Sequence, residues 1–100
     1  METPHRFRRL ERAELLGFDV PVATTTLSRL LGLTLIGREH AGAGLLIPRC
    51  RSVHTLGMRF PLDLVFLDGG GRVIELHRGV PPGRFIGCAA AMAVLELPSP

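Results

Sequence analysis

The sequence predicts an α+β domain, mostly β, in which a small curved antiparallel sheet or partly open barrel carries one short helix. Three observations lead there. Two β-rich runs, Leu62 to Leu67 and Arg72 to Leu76, flank Asp68-Gly69-Gly70-Gly71, where positive φ is cheap, and together they read as a β-hairpin. Three threonines, Thr24 to Thr26, offer an N-cap ahead of Leu27, Leu30 and Leu31, which recur at the i, i+3, i+4 spacing of a helix. The chain has 100 residues, of which 46% are hydrophobic, enough for one domain around a single core.

The elements follow in order. Residues 1–17 carry mixed charge and are expected to form a basic, weakly ordered segment ahead of a core spanning 18–97. Phe18, Val20 and Val22 then fall on one side of an extended stretch, with Asp19 and Pro21 on the other. Proline cannot donate to an inner ladder, so this is an edge-strand pattern. The helix should run from about Thr25 to Leu31, with Gly32 as its stop. "REHAGAG" reads as a loop delivering a brief strand, Leu45 to Ile47, closed by Pro48. Beyond the hairpin, "PPGRF" makes a loop that presents Arg84, a turn occupies Gly87 to Ala91, and a strand runs from Met92 to Leu97. The chain contains no internal repeat and no low-complexity tract.

Composition narrows the function classes. Aromatic residues make up only 5% and neither Trp nor Tyr is present, so stacking platforms are scarce. All 12 basic residues are Arg, and the chain has no Lys, Asn or Gln, a uniform bias that makes any one Arg weaker evidence of function. Net charge is +3 and the densest basic stretch, "HRFRRLER", holds one Phe. A nucleic-acid surface would interleave a basic face with aromatics, so nucleic acid is not an expected partner. No run reaches the ~18 apolar residues that span a bilayer, and the N-terminus lacks an uninterrupted apolar core and a small-residue cleavage site. A cytoplasmic location without membrane association is expected, in which Cys50 and Cys88 stay as buried free thiols.

Several segments resemble the prokaryotic domain-of-unknown-function family 192 (DUF192). They are Arg29-Leu30-Leu31-Gly32-Leu33, Gly44-Leu45-Leu46, the run His54 to Asp63 ("HTLGMRFPLD"), Val65-Phe66-Leu67-Asp68 with Gly71-Arg72-Val73, and Val94-Leu95-Glu96-Leu97. The resemblance covers residues 20 to 97 with the segments in order. It implies a compact, mostly β fold with one short helix and no established reaction. Two departures stand out. Many members have a Trp in the central motif, whereas this chain shows the "H-T-x-G-M-R" variety. Many also continue past "E-L-P" into another strand, whereas this sequence reaches Pro98-Ser99-Pro100, so the last sheet edge is expected to be open and available to a second copy.

The candidate site is the central motif, with His54, Thr55, Met58, Arg59 and Asp63 as binding residues. In the functional reading Arg59 binds an anionic group and His54 moves a proton; in the structural one Arg59 pairs with a carboxylate such as Asp63 and holds a bend. Asp63 follows Pro61-Leu62 and is expected to accept N–H groups from the preceding turn; Asp68 heads "DGGG" and is expected to serve that turn. No metal or cofactor is expected. Cys50 and His54 would share a face on a strand, yet no paired C-x-x-C knuckles accompany them. Cys50 has no local signature of a nucleophile. "GAG" and "GGG" neither open a helix after a strand nor precede Lys-Ser or Lys-Thr, which removes a phosphate loop. The reading is a small binding or accessory domain for an unidentified small ligand or protein partner. The alternatives are a hydrolase-like or metal-dependent enzyme using His54, and a structural or oligomerising module.

Overall fold

The computed structural model describes Phe7 and residues 10–100. The expectations for residues 1–6, 8 and 9, including most of "HRFRR", fall outside the described residues. The remainder of the stretch expected to be weakly ordered contains a strand, β1 (Arg12–Leu15), paired antiparallel with β2 (Phe18–Pro21), and a buried Phe7. Then come α1 (Thr26–Leu31), a 3-10 turn (Arg38–His40), β3 (Leu45–Pro48), β4 (Ser52–His54), β5 (Leu62–Leu67), β6 (Val73–Val80), β7 (Phe85–Gly87) and β8 (Ala93–Pro98).

The centre is a four-stranded antiparallel sheet in the order β3-β8-β5-β6, accompanied by the two ribbons β1-β2 and β4-β7. The sheets are open rather than closed into a barrel. Along β5 every residue is buried, because both faces of the sheet are covered. Leu62, Leu64 and Phe66 point to the larger core with Leu45, Ile47, Val53, Met58 and Val94; Val65 and Leu67 point to the smaller one, where Val20 of the β1-β2 ribbon packs with Leu95. Each fully buried Leu or Phe of this kind stabilises the fold by roughly 1.5–3 kcal/mol relative to exposure.

The last strand is not an edge. β8 lies between β3 and β5, with Val65 opposite Leu95 and Leu46 opposite that same residue on the other side. The expectation of an open C-terminal edge is therefore corrected: the free edge beyond β5 is β6. "PPGRF" is likewise only partly loop, since Phe85 begins β7 and pairs with His54. A three-residue strand is too short to leave a periodic trace.

The helix starts as its sequence predicts. Thr25 Oγ1 accepts the Ser28 N–H at 3.1 Å, and Ser28 Oγ accepts the Thr25 N–H at 3.1 Å, a reciprocal capping box. Its leucines do not pack as their spacing suggests: Leu27 and Leu30 are 55% and 67% exposed, while Ser28 is fully buried. Six residues give too little length for an apolar stripe to decide the docking. Arg29 does so instead, donating to the backbone carbonyls of Pro48 and, at 3.1 Å, Arg49 at the end of β3. Leu33, just past the helix, supplies the buried apolar anchor.

The β5-β6 hairpin carries two irregularities. Leu62 faces Val80 and Leu64 faces His77, so Arg78 and Gly79 together oppose Asp63. This is a β-bulge, and Gly79 takes a φ of 60° that a side chain would strain. Asp63 Oδ1 accepts the Gly79 N–H at 2.8 Å. The carboxylate thus serves a bulge sixteen residues on rather than the turn before it, and β6 continues past Leu76 to Val80 because the displaced N–H is satisfied. The second irregularity leaves Ile74 as an extra residue between Val73 and Glu75.

Asp68 behaves as its sequence predicts. Its Oδ1 accepts the N–H groups of Gly70 at 2.8 Å and Arg72 at 2.9 Å. Those two bonds, Arg72 first, hold its carboxyl below the ordinary carboxylate range. A depressed folded pKa contributes stability that is fully present above the unfolded value of about 4 and is lost as pH falls through the folded one. Thermal melts of the wild type should therefore decline below about pH 4, and Asp68→Asn should show a shallower decline over the same range. Identical slopes in the two proteins would rule out this role for Asp68.

Candidate functional site

The central motif does not assemble into one site. Its residues are dealt out to five different surroundings. His54 ends β4. Met58 enters the larger core, where it is 7% exposed. Arg59 is exposed and makes no ion pair among the described residues, so the expected Arg59–carboxylate pair is absent, and Asp63 is committed to Gly79. Met58 and Phe60 on either side of it are both buried, in the loop between β4 and β5, while Arg59 is left in solvent.

Thr55 is fully buried and works as a staple. Its hydroxyl donates to the Pro81 carbonyl at 2.8 Å and accepts the Arg84 N–H at 2.8 Å, while its own N–H donates to the Arg84 carbonyl at 2.8 Å. Its carbonyl accepts from Gly83 at 3.0 Å and Met58 at 3.2 Å. Thr55 therefore fixes the loop between β6 and β7 against β4, and that loop sets Phe85 beside His54, ring centroids 6.3 Å apart. Arg84 itself is exposed, as expected for a loop.

His54 lines a cavity at the end of α1. A space of about 70 Å³ lies between the C-terminal end of α1, the β3-β4 connection and β8, lined among others by Arg29, Leu30, Gly32, Cys50, His54 and Glu96. His54 is half-buried, and its Nδ1 is buried with no hydrogen-bond partner. Leaving such a group unsatisfied costs roughly 1–3 kcal/mol. Glu96, on the core side of β8, is 3% exposed. A Cβ on Gly32 would lie 2.8 Å from Glu96 Oε1, and Gly32 has a φ of 53°, so both space and backbone demand glycine where α1 meets the carboxylate.

Cys50 donates its thiol hydrogen to the Ser52 carbonyl at 3.1 Å. Burial pushes that thiol above the ordinary range; a Ser52 backbone hydrogen bond and the Arg29 guanidinium oppose the rise, and Glu96 adds to it. A thiol held neutral is a weak nucleophile and a weak metal ligand. Among the described residues, no group of three or more His, Cys, Asp or Glu side chains is arranged to hold a metal ion.

A second polar cluster lies on β6. His77 Nε2 meets Glu75 Oε1, and the His77 ring stands edge-on to Phe66 at 5.7 Å. Hydrogen bonds from His77 and then Cys88 hold the Glu75 carboxyl below its usual range, and Cys88 is raised by desolvation and by Glu75. Cys50 and Cys88 are both free and half-buried rather than buried outright.

Sequence reasoning missed Glu96 and Arg29 as members of the cavity. One signal for Glu96 was available: it interrupts the apolar run "AVLEL" on the same side as Val94, the side that a strand covered on both faces must bury. Arg29 carried none, because its role depends on where two carbonyls end β3.

Comparison with known proteins places the whole fold. Residues 9–99 match the DUF192 family, described as "Uncharacterized ACR", and the chain belongs to that family. A protein of unknown function from Novosphingobium aromaticivorans DSM 12444 has a similar structure, with a TM-score of 0.69 and 17% identity over 99% of this chain and 89% of that one. A second, described as "a putative transcription regulator" from Sinorhizobium meliloti 1021, has a TM-score of 0.69 and 22% identity over 88% of this chain and 78% of that one. At these identities the likeness is one of fold. No curated protein matches the chain.

Thr55→Val keeps the shape and removes the hydroxyl, leaving the Arg84 N–H without its acceptor. It should lower the unfolding free energy by about 1–3 kcal/mol in urea titration and raise hydrogen exchange at Arg84. A variant as stable as the wild type would show that the staple does not hold the loop.

Proposed function

We propose that this DUF192 domain is a binding module whose ligand enters the cavity beside His54 and satisfies its Nδ1. The observation that carries the reading is that buried ring nitrogen, without a protein partner, on a residue lining a cavity. Water occupies about 30 Å³ in the liquid, so a cavity of about 70 Å³ accepts roughly two waters or one small polar group. A carboxamide, hydroxyl or amine fits that size. It can be a free small molecule or the tip of a partner's side chain.

The surroundings favour recognition over chemistry. Nucleophilic or general-base catalysis by His54 needs a second group on the ring to orient it, and Nδ1 has none. Cys50, the nearest thiol in the cavity wall, is kept protonated by burial. Leu30, in the cavity wall, is 67% exposed, and Phe85, which stands beside His54 outside that wall, is 75% exposed. An apolar rim over a polar floor is a common design of small-ligand sites. Arg59, exposed and away from these contacts, has no part in it. In the same reading the domain works in the cytoplasm, where two free thiols stay reduced. Among the described residues no helix is long and apolar enough to cross a membrane.

Nuclear magnetic resonance titration with acetamide, ethanol and methylammonium as probes tests the reading. At least one probe should shift the His54 ring resonances together with the Leu30 and Phe85 amides. His54→Phe should abolish those shifts, and Arg59→Ala should leave them intact. Probes that leave His54 unmoved, or that bind His54→Phe equally well, would remove the cavity from consideration.

A further inference from the structure

We infer that β6 is a self-association edge, pairing antiparallel with β6 of a second copy of this chain about a two-fold axis at Leu76. The strand is hydrogen-bonded to β5 on one side, and no strand among the described residues lies on the other. An open edge is a row of unpaired N–H and C=O groups, a template for another strand.

The two bulges fix which register is available. Ile74 is an extra residue at one end, and Arg78 with Gly79 share a single opposing position at the other. The regular run between them is Glu75-Leu76-His77. Two copies of a three-residue run oppose each other over their full length in antiparallel fashion only with Leu76 across from itself. The arrangement is isologous, so it closes as a dimer instead of growing into a filament.

That register is also self-complementary in charge. Placing Leu76 opposite Leu76 sets Glu75 across from His77 of the second copy, and His77 across from its Glu75. Glu75 and His77 share one face of the strand and already touch within one chain. The dimer therefore assembles an alternating ring of two carboxylates and two imidazoles, in which each imidazole has a carboxylate partner across the strands.

The other face supplies apolar area. Val73 and Leu76 are 47% and 46% exposed, and beside them the β1-β2 ribbon contributes Leu16 from its turn and Phe18 from β2, 51% and 38% exposed. Together they bound a groove of about 310 Å³ floored by Val65. With paired strands about 4.8 Å apart, the two Leu76 side chains stand side by side and the two grooves join across the axis. A single chain leaves this apolar strip in water.

Sedimentation equilibrium of the full chain over a concentration series tests the inference, with circular dichroism as the check on folding. The wild type should show a reversible monomer–dimer equilibrium. Leu76→Arg, at a surface position, should remain folded and be monomeric at every concentration. His77→Glu, which sets carboxylate against carboxylate, should raise the dimer dissociation constant at least tenfold, and Glu75→His combined with His77→Glu should restore it. A wild type that is monomeric up to roughly 1 mM, a dimer that Leu76→Arg leaves intact, or a charge swap that fails to restore His77→Glu would each overturn it. If Leu76→Arg does not fold, the charge-swap series decides alone.

Discussion

Everything in this domain depends on β8 being paired on both sides. It is the strand that joins β3 to the hairpin β5-β6, and without it the four-stranded sheet is a separate hairpin and a separate edge. Its alternation serves two cores at once: Val94 belongs to the larger cluster and Leu95 to the smaller. The same alternation puts Glu96 on the crowded side, between Leu45 and Leu64 in the ladder. A carboxylate there is costly unless its surroundings are built for it. The glycine at the end of α1, the Arg29 tether to β3 and the cavity beside His54 are all arranged around that one buried side chain.

The elements that local chemistry specifies were legible in the sequence. Thr25 caps the helix, Asp68 holds the hairpin turn, and the runs on either side of it form strands, because each depends on groups within a few residues of one another. The runs that failed to show were those defined from a distance. Residues 85–87 become a strand because Thr55 grips their loop, and the outward turn of Leu27 and Leu30 follows from the grip of Arg29 on carbonyls nineteen and twenty residues away. The place of β8 inside the sheet is topological. Nothing in "AVLELP" distinguishes a central strand from an edge except the Glu on its buried side.

The candidate site was partly legible for a related reason. A short motif dense in polar residues looks like one functional unit, and His54 does reach a cavity. Strand and loop geometry send its neighbours elsewhere: Thr55 to the β6-β7 loop, Met58 to the core, Arg59 to solvent and Asp63 to a bulge on the far side of the hairpin. Proximity in sequence gave the residues one label, and the fold gave them five tasks. Most of those tasks are structural. A dense motif of this kind therefore records how many long-range connections one segment must satisfy.

The central position of the last strand also governs how the chain reaches its fold. β3 and β5 cannot complete their ladders until β8 arrives, although they precede it by some thirty to fifty residues. Contacts of such long separation carry a loop-closure cost before they return any stabilisation, so folding belongs in the slower, millisecond-to-second range of small domains. During that interval the facing edges of β3 and β5, which β8 covers in the native protein, stand open. The time spent waiting for β8, more than the stability of the finished sheet, is what exposes this protein to aggregation.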